Sequence, residues 1–213
     1  MTKLYITRHG ETEWNKLGKM QGWNDSPLTE LGKVQAQWLR DRVENINFSK
    51  IYTSSSDRAY KTAEIIKGDR DIEIVPSLDL REIRLGVWQG LTQEEISELN
   101  KENHYNYWNK PEKYITVEGA ESFEEVRDRA YRTIMKMVRE NKGKEILVVT
   151  HTTVLKGFMC ALQKKEIKDL WEPPFIKQTS LTVVEFDEDE NYKIITNADA
   201  SHHQYTFKEY NQF

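Results

Sequence analysis

Residues 145–150, EILVVT, set four aliphatic side chains in a row with no polar residue between them. Successive side chains of a strand point to opposite faces, so a strand of this composition has to be covered on both. It therefore demands a central place in a sheet with helices on either side. The rest of the chain supplies the partners. Hydrophobic periodicity predicts strands at 3–7, 50–54, 72–75 and 145–150, and helices at 29–45, 57–67, 121–141 and 153–163, with further helices within 92–110. In LTELGKVQAQWLRDRVENI, Leu31, Val34, Trp38, Leu39 and Val43 fall at helical spacing behind Thr29 as N-cap. Two last strands, 180–186 and 192–196, flank the acidic turn DEDENY and read as a hairpin. The implied fold class is α/β: a three-layer α/β/α sandwich with a mostly parallel sheet and one antiparallel edge strand.

The stretch from about 87 to 120 breaks this rhythm. It carries Trp88, Tyr105, Tyr107, Trp108 and Tyr114 with no strand before Tyr114, and reads as a helical lid inserted into a single domain that spans 1–213.

Composition narrows the partners. A formal net charge of −4 leaves no basic stripe for a nucleic-acid footprint. No apolar run approaches the ~20 residues that cross a bilayer, and MTKLYITRHG lacks a secretory h-region. The expected location is the cytoplasm, where the lone Cys160 is a reduced, buried thiol.

In an open parallel sheet, ligands bind beyond the carboxyl ends of the strands. The first strand ends in Arg8 and His9, and the second leads through SSD to Arg58 at a helix start. The third runs through PSLDL to Arg81 and Glu82, and EILVVT ends in His151. Guanidinium forks match phosphate oxygens, and the N–H groups at helix starts 57–59 and 152–154 add anion donors. A phosphoryl group is the ligand these residues suit, although no Walker loop and no G-x-G-x-x-G is present. A neutral imidazole attacks phosphorus and the arginines oppose its protonation, so His9 is the expected nucleophile. Arg8, Arg58 and His151 would clamp the transition state, and Glu82 would protonate the leaving alkoxide and then activate water. A metal site built from His9, Glu11, Glu13 and His151 is the rival reading. The arginines would repel a cation, and no H-E-x-x-H stands in the chain. His104, His202 and His203 read as structural or surface residues, His202 near the sheet edge.

RHGETEWN resembles the R-H-G-E/Q-T-x-x-N signature of the histidine phosphatase superfamily, also called phosphoglycerate mutase-like. The resemblance continues through QGWNDSPLTELG, SSSDRAYKTAEII, LREIRLGVWQG and VTHTTVLKG. LWEPPFIKQTSLTVVEF is similar to the C-terminal part of broad-specificity, cofactor-independent phosphatases of that family. The resemblance implies a phosphohistidine at His9, a proton donor at Glu82, and phosphate binding by Arg8, Arg58 and His151. It adds Asn15 and the Gln21-Gly22 turn as pocket lining, and it calls for no cofactor and no metal. Three departures stand out. Thr152 follows the second histidine where the family usually has glycine, which narrows the pocket. Tyr60-Lys61 replaces x-Gln, and GAES replaces Gly-Gly-Glu-Ser.

Mutases of the family carry an Arg-Arg pair between the proton donor and the G-x-E-S motif. From Ile83 to Ser122 this chain has one arginine, Arg84, and five large aromatics. An aromatic lid suits apolar leaving groups, so a phosphomonoester phosphatase acting on a small phosphorylated substrate is favoured over a phosphoglycerate mutase. A catalytically inactive phospholigand-binding protein would lack His9 or Glu82, and both are present.

Overall fold

In the computed structural model, which describes residues 1–204, EILVVT forms an inner strand. The strands are β1 (Thr2–Arg8), β2 (Phe48–Ser54), β3 (Ile74–Ser77), β4 (Glu145–Thr150), β5 (Leu181–Phe186) and β6 (Tyr192–Asp199). They make one six-stranded sheet of order β3-β2-β4-β1-β5-β6. The first four run parallel, and β5 runs against β1 and pairs with β6 as the edge hairpin.

The alternation of side chains across β1 and β4 sorts the core into two layers. Leu4, Ile6, Ile146 and Val148 face α6 (Phe123–Glu140) and α7 (Thr152–Leu162). Tyr5, Leu147 and Val149 face α2 (Glu30–Arg42) and α3 (Asp57–Lys67). The expected three layers follow, because Ile146 to Val149 are wholly buried.

Thr29 caps α2 as expected, accepting from the Gly32 N–H at 2.9 Å. The buried face differs from the predicted one: it runs through Gly32, Gln35, Ala36 and Leu39, while Val34 is exposed and Leu31 and Trp38 are half-buried. The reason is close contact with the loop after β1. A Cβ on Gly32 would sit 2.0 Å from the Glu11 carbonyl oxygen, and the Gln35 Oε1 accepts from the Glu11 N–H at 2.9 Å. Only a small and polar stripe lets the helix backbone approach that loop so closely.

The segment after Glu82 leaves the sheet as α4 (Gln93–Leu99) and α5 (Lys101–Asn109). Its two ends meet at a bridge between Leu85 and Ala120, so the insertion is closed at its base. Trp88, Tyr107, Tyr114, Phe123 and Trp171 pack ring against ring beneath it.

Candidate active site

The register of β1 on β4 aligns Arg8 with Thr150, and the His9 N–H donates to the Thr150 carbonyl at 3.0 Å. His9 and His151 therefore leave the sheet side by side, with ring centroids 5.1 Å apart. Both are buried. The bonds each ring makes define its tautomer. His9 Nδ1 is 2.7 Å from the Gly10 carbonyl, which can only accept, so Nδ1 carries the proton. Its Nε2 accepts from Arg58 Nε at 3.3 Å and holds the lone pair. His151 is the reverse: Nδ1 accepts from Arg58 Nη2 at 3.3 Å, and Nε2 donates to Ser54 Oγ at 2.8 Å.

Arg58, in the first turn of α3, is 1% exposed and uses all five guanidinium donors. Besides the two imidazoles, it donates to the carbonyls of Gly22 and Asn24, at 2.9 and 2.8 Å, and to Asp25 Oδ1 at 3.0 Å. Gly22 adopts φ +54, and a Cβ there would lie 2.6 Å from Gln89 Oε1, so the turn that presents its carbonyl needs glycine. Arg8 is held at one end, by Nη1 to the Ile176 carbonyl at 3.0 Å, while its buried Nε has no partner. Burial and the Arg58 charge outweigh the pull of Glu82 and bring the Arg8 guanidinium down to about 10. The imidazoles are displaced in the same direction. Burial first, then the neighbouring guanidiniums, hold both His9 and His151 well below the usual histidine range.

At both helix starts expected to offer donors to phosphate, an N–H group donates to a nearby carboxylate. The Thr153 N–H at the start of α7 donates to Glu82 Oε1 at 3.2 Å, and the Ile83 N–H to the same oxygen at 2.9 Å. At the start of α3, the Asp57 N–H donates to Asp25 Oδ2. A carboxylate at a helix N-terminus is favoured by the same dipole that favours phosphate, and here the acid was already nearby in space. Gly10 is constrained by the Gly32 backbone, whose oxygen a Cβ would meet at 2.4 Å.

These groups front a cavity of about 370 Å³. Arg8, His9, Asn15, Gln21, Gly22, Arg58, Glu82 and Thr152 all line it; His151 does not, and touches the other groups from behind. Asn15 Oδ1 caps α1 (Glu13–Lys16) through the Thr12 N–H, and Gln21 Nε2 donates to Thr12 Oγ1 at 2.9 Å. Glu11, once a candidate ligand, accepts from Thr29 Oγ1 at 2.7 Å. Among the described residues no group of three His, Cys, Asp or Glu side chains could hold a metal ion.

The model of the histidine phosphatase superfamily (branch 1) matches residues 4–199. The chain belongs to that superfamily. A solved structure similar to it is that of Bacillus stearothermophilus YhfR, with TM-score 0.92 and 41% identity over 95% of this chain and 99% of that one. Phosphoserine phosphatase 1 of Hydrogenobacter thermophilus is 31% identical over 80% of this chain and 81% of its own. The Entamoeba histolytica phosphoserine phosphatase in complex with 3-phosphoglyceric acid superposes with TM-score 0.84 and 29% identity, over 95% of this chain and 99% of that one.

Within this histidine phosphatase, three contributors escaped the sequence reading. Asp25 lay inside a quoted motif, but nothing local tied it to Arg58, 33 residues on. Trp23 donates its indole N–H to the Glu82 carbonyl at 2.9 Å and so joins the same turn to the acid. Trp171, Pro173, Phe175 and Ile176 line the cavity from the connection between α7 and β5. PPF stood inside the motif LWEPPFIKQTSLTVVEF, with no local signal for where it folds back.

Proposed function

We propose that the chain is a metal-independent phosphomonoester hydrolase in which His9 carries the phosphoryl group. The observation that carries this reading is the locked tautomer of His9, with Nδ1–H on the Gly10 carbonyl and the Nε2 lone pair facing the cavity cations. In the first step Nε2 attacks phosphorus, the P–O bond to the alcohol breaks, and Glu82 gives the leaving oxygen its proton. In the second, Glu82 takes a proton from water, the hydroxide attacks phosphorus, and the P–N bond breaks to release inorganic phosphate.

Arg8 supports the clamp through its unpaired buried Nε, a donor awaiting an anion. Phosphoryl oxygens would replace the imidazoles as partners of Arg58, with His151 backing the clamp from behind. Asn15, Gln21, Gly22 and Thr152 shape the phosphoryl end of the cavity. The substrate class is small phosphorylated metabolites, and the aromatic wall favours apolar alcohols over a small trianion. The reading takes 1–213 as one domain with 87–120 as its lid, working in the cytoplasm without a cofactor, a nucleic acid or a membrane. No helix among the described residues is long and apolar enough to cross a membrane.

Rapid quenching of the reaction with p-nitrophenyl phosphate should trap an acid-labile, base-stable phosphoenzyme in the wild type and none in His9→Ala. Turnover by His9→Ala at the wild-type rate would sink the reading. So would a mutase rate on 3-phosphoglycerate that exceeds ester hydrolysis.

A further inference from the structure

The connection 171–176 contains no helix or strand, yet it forms a whole side of the cavity. Four side-chain hydrogen bonds hold it. Trp171 Nε1 donates to the Tyr107 carbonyl at 2.6 Å, and the Ile176 carbonyl accepts from Arg8. Between these, Lys156 Nζ donates to the carbonyls of Glu172 and Pro174. The carbonyls on either side of Phe175 are therefore both pinned, by Lys156 before it and Arg8 after it. Phe175 itself is 73% exposed and has little packing of its own to keep it at the cavity mouth.

Lys156 is an odd residue for its place. It is 9% exposed on α7, and its neighbours Val154, Leu155, Phe158 and Met159 are buried and apolar. Burial pushes its ammonium down from the usual lysine range. Among the described residues no carboxylate pairs with it; that of Glu172 pairs with Lys165 at 2.8 Å. A buried ammonium whose hydrogen bonds go to carbonyls and not to a carboxylate costs stability that a methionine of similar length would not cost. What the charge supplies instead is the grip on 171–176.

We propose that Lys156 is a specificity-determining positioning residue. By holding the Glu172 and Pro174 carbonyls it sets Trp171 and Phe175 as a fixed wall, and that wall selects phosphomonoesters of bulky aromatic alcohols over those of small polar ones. The proposal rests on the phosphatase reading above. Without the grip, the strap stays tethered at Trp171 and Ile176 but its middle is free, and an aromatic leaving group loses a preorganised face while a small one loses little.

The test is kcat/KM for 1-naphthyl phosphate and for glycerol 1-phosphate in wild type, Lys156→Met, Lys156→Arg and Phe175→Ala. Lys156→Met should lower the naphthyl-to-glycerol ratio about tenfold, through KM for the naphthyl ester. Lys156→Arg keeps the donors and should retain most of the ratio, and Phe175→Ala, at an exposed position, should lower it in the same direction. Equal loss on both esters in Lys156→Met would overturn the proposal, because the residue would then act through Arg8 or the fold alone. If Lys156→Met does not fold, an unchanged ratio in Phe175→Ala overturns it. An active wild type with unchanged ratios sinks this proposal alone; a wild type inactive on both esters sinks the phosphatase reading with it.

Discussion

Arg58 Nε donates to His9 Nε2 across 3.3 Å, so the cation that would hold phosphate also guards the lone pair that would attack it. The same guanidinium donates to His151 Nδ1 and thereby sets both imidazole tautomers in the ligand-free protein. On the proposed mechanism, a phosphoryl oxygen arriving at Arg58 would take over these donors and free Nε2 at the moment phosphorus is within reach.

A lysine at position 58 can offer charge but not a planar fork to two rings and three further acceptors. Arg58→Lys should lower kcat by about 10²- to 10³-fold, the range found for a lost transition-state donor. Steady-state assays with p-nitrophenyl phosphate measure it, and a drop of less than about fivefold would speak against a clamp at Arg58.

Asp25 is the carboxylate in contact with Arg58, and its side chain is 29% exposed. Asp25→Ala leaves a buried guanidinium donor unmatched and removes the acid from the start of α3. The expected loss is about 1.5–3 kcal/mol of stability, read from the urea unfolding midpoint, together with a lower kcat. A stable variant with wild-type turnover would deny Asp25 a role in fixing Arg58.

Glu82 lines the cavity, held by the N–H groups of Ile83 and Thr153. For an alkyl phosphate, Glu82→Gln should lower kcat by about 10²- to 10⁴-fold. For p-nitrophenyl phosphate, whose leaving group departs without a proton, the loss in the first step should be much smaller, and pre-steady-state burst rates separate the two. Equal loss on both esters would assign Glu82 to binding rather than to acid catalysis.

Gly32 lets α2 meet the loop that follows His9. A Cβ there would lie 2.0 Å from the Glu11 carbonyl, a contact with backbone that no rotamer relieves. Gly32→Ala should cost about 1–3 kcal/mol and reduce activity as well, since the Glu11 shift reaches Gly10 and the His9 Nδ1 bond. Thermal unfolding combined with kcat tests both parts.

All five histidines are pushed below the usual 6.5, with burial the largest cause in each. The folded protein then holds these rings neutral while the unfolded chain takes up protons below 6.5, so stability rises with pH. That stability is fully present above 6.5 and is lost as pH falls toward the folded values, about 4 for His203. The urea midpoint should fall steadily between about pH 7 and 5, chiefly through the more buried His9, His151, His202 and His203. His9 is held well below the usual histidine range, so an acid limb of kcat centred on 6.5 would contradict its proposed role as a buried nucleophile.

The α/β layering, the strand ends and the cluster Arg8, His9, Arg58, Glu82 and His151 were legible because each depends on local pattern: an apolar run, a cap, a charged residue at its end. The rotated face of α2 was not, because Gly32 and Gln35 are selected by a backbone contact with Glu11 and not by hydrophobicity. Neither were Asp25, Trp23 and Lys156, whose partners lie 33, 59, 16 and 18 residues away.

By itself the sequence determined which side chains would reach one edge of the sheet and the family to which the chain belongs. Only the tertiary structure decided what each of them faces there. Carboxylates accept from both helix starts, five acceptors surround Arg58, and a strap without secondary structure closes the cavity. The physical reason is that hydrogen-bond partners of buried charges are chosen by proximity in space, and proximity is set by strand register and loop closure, to which no local pattern of residues points.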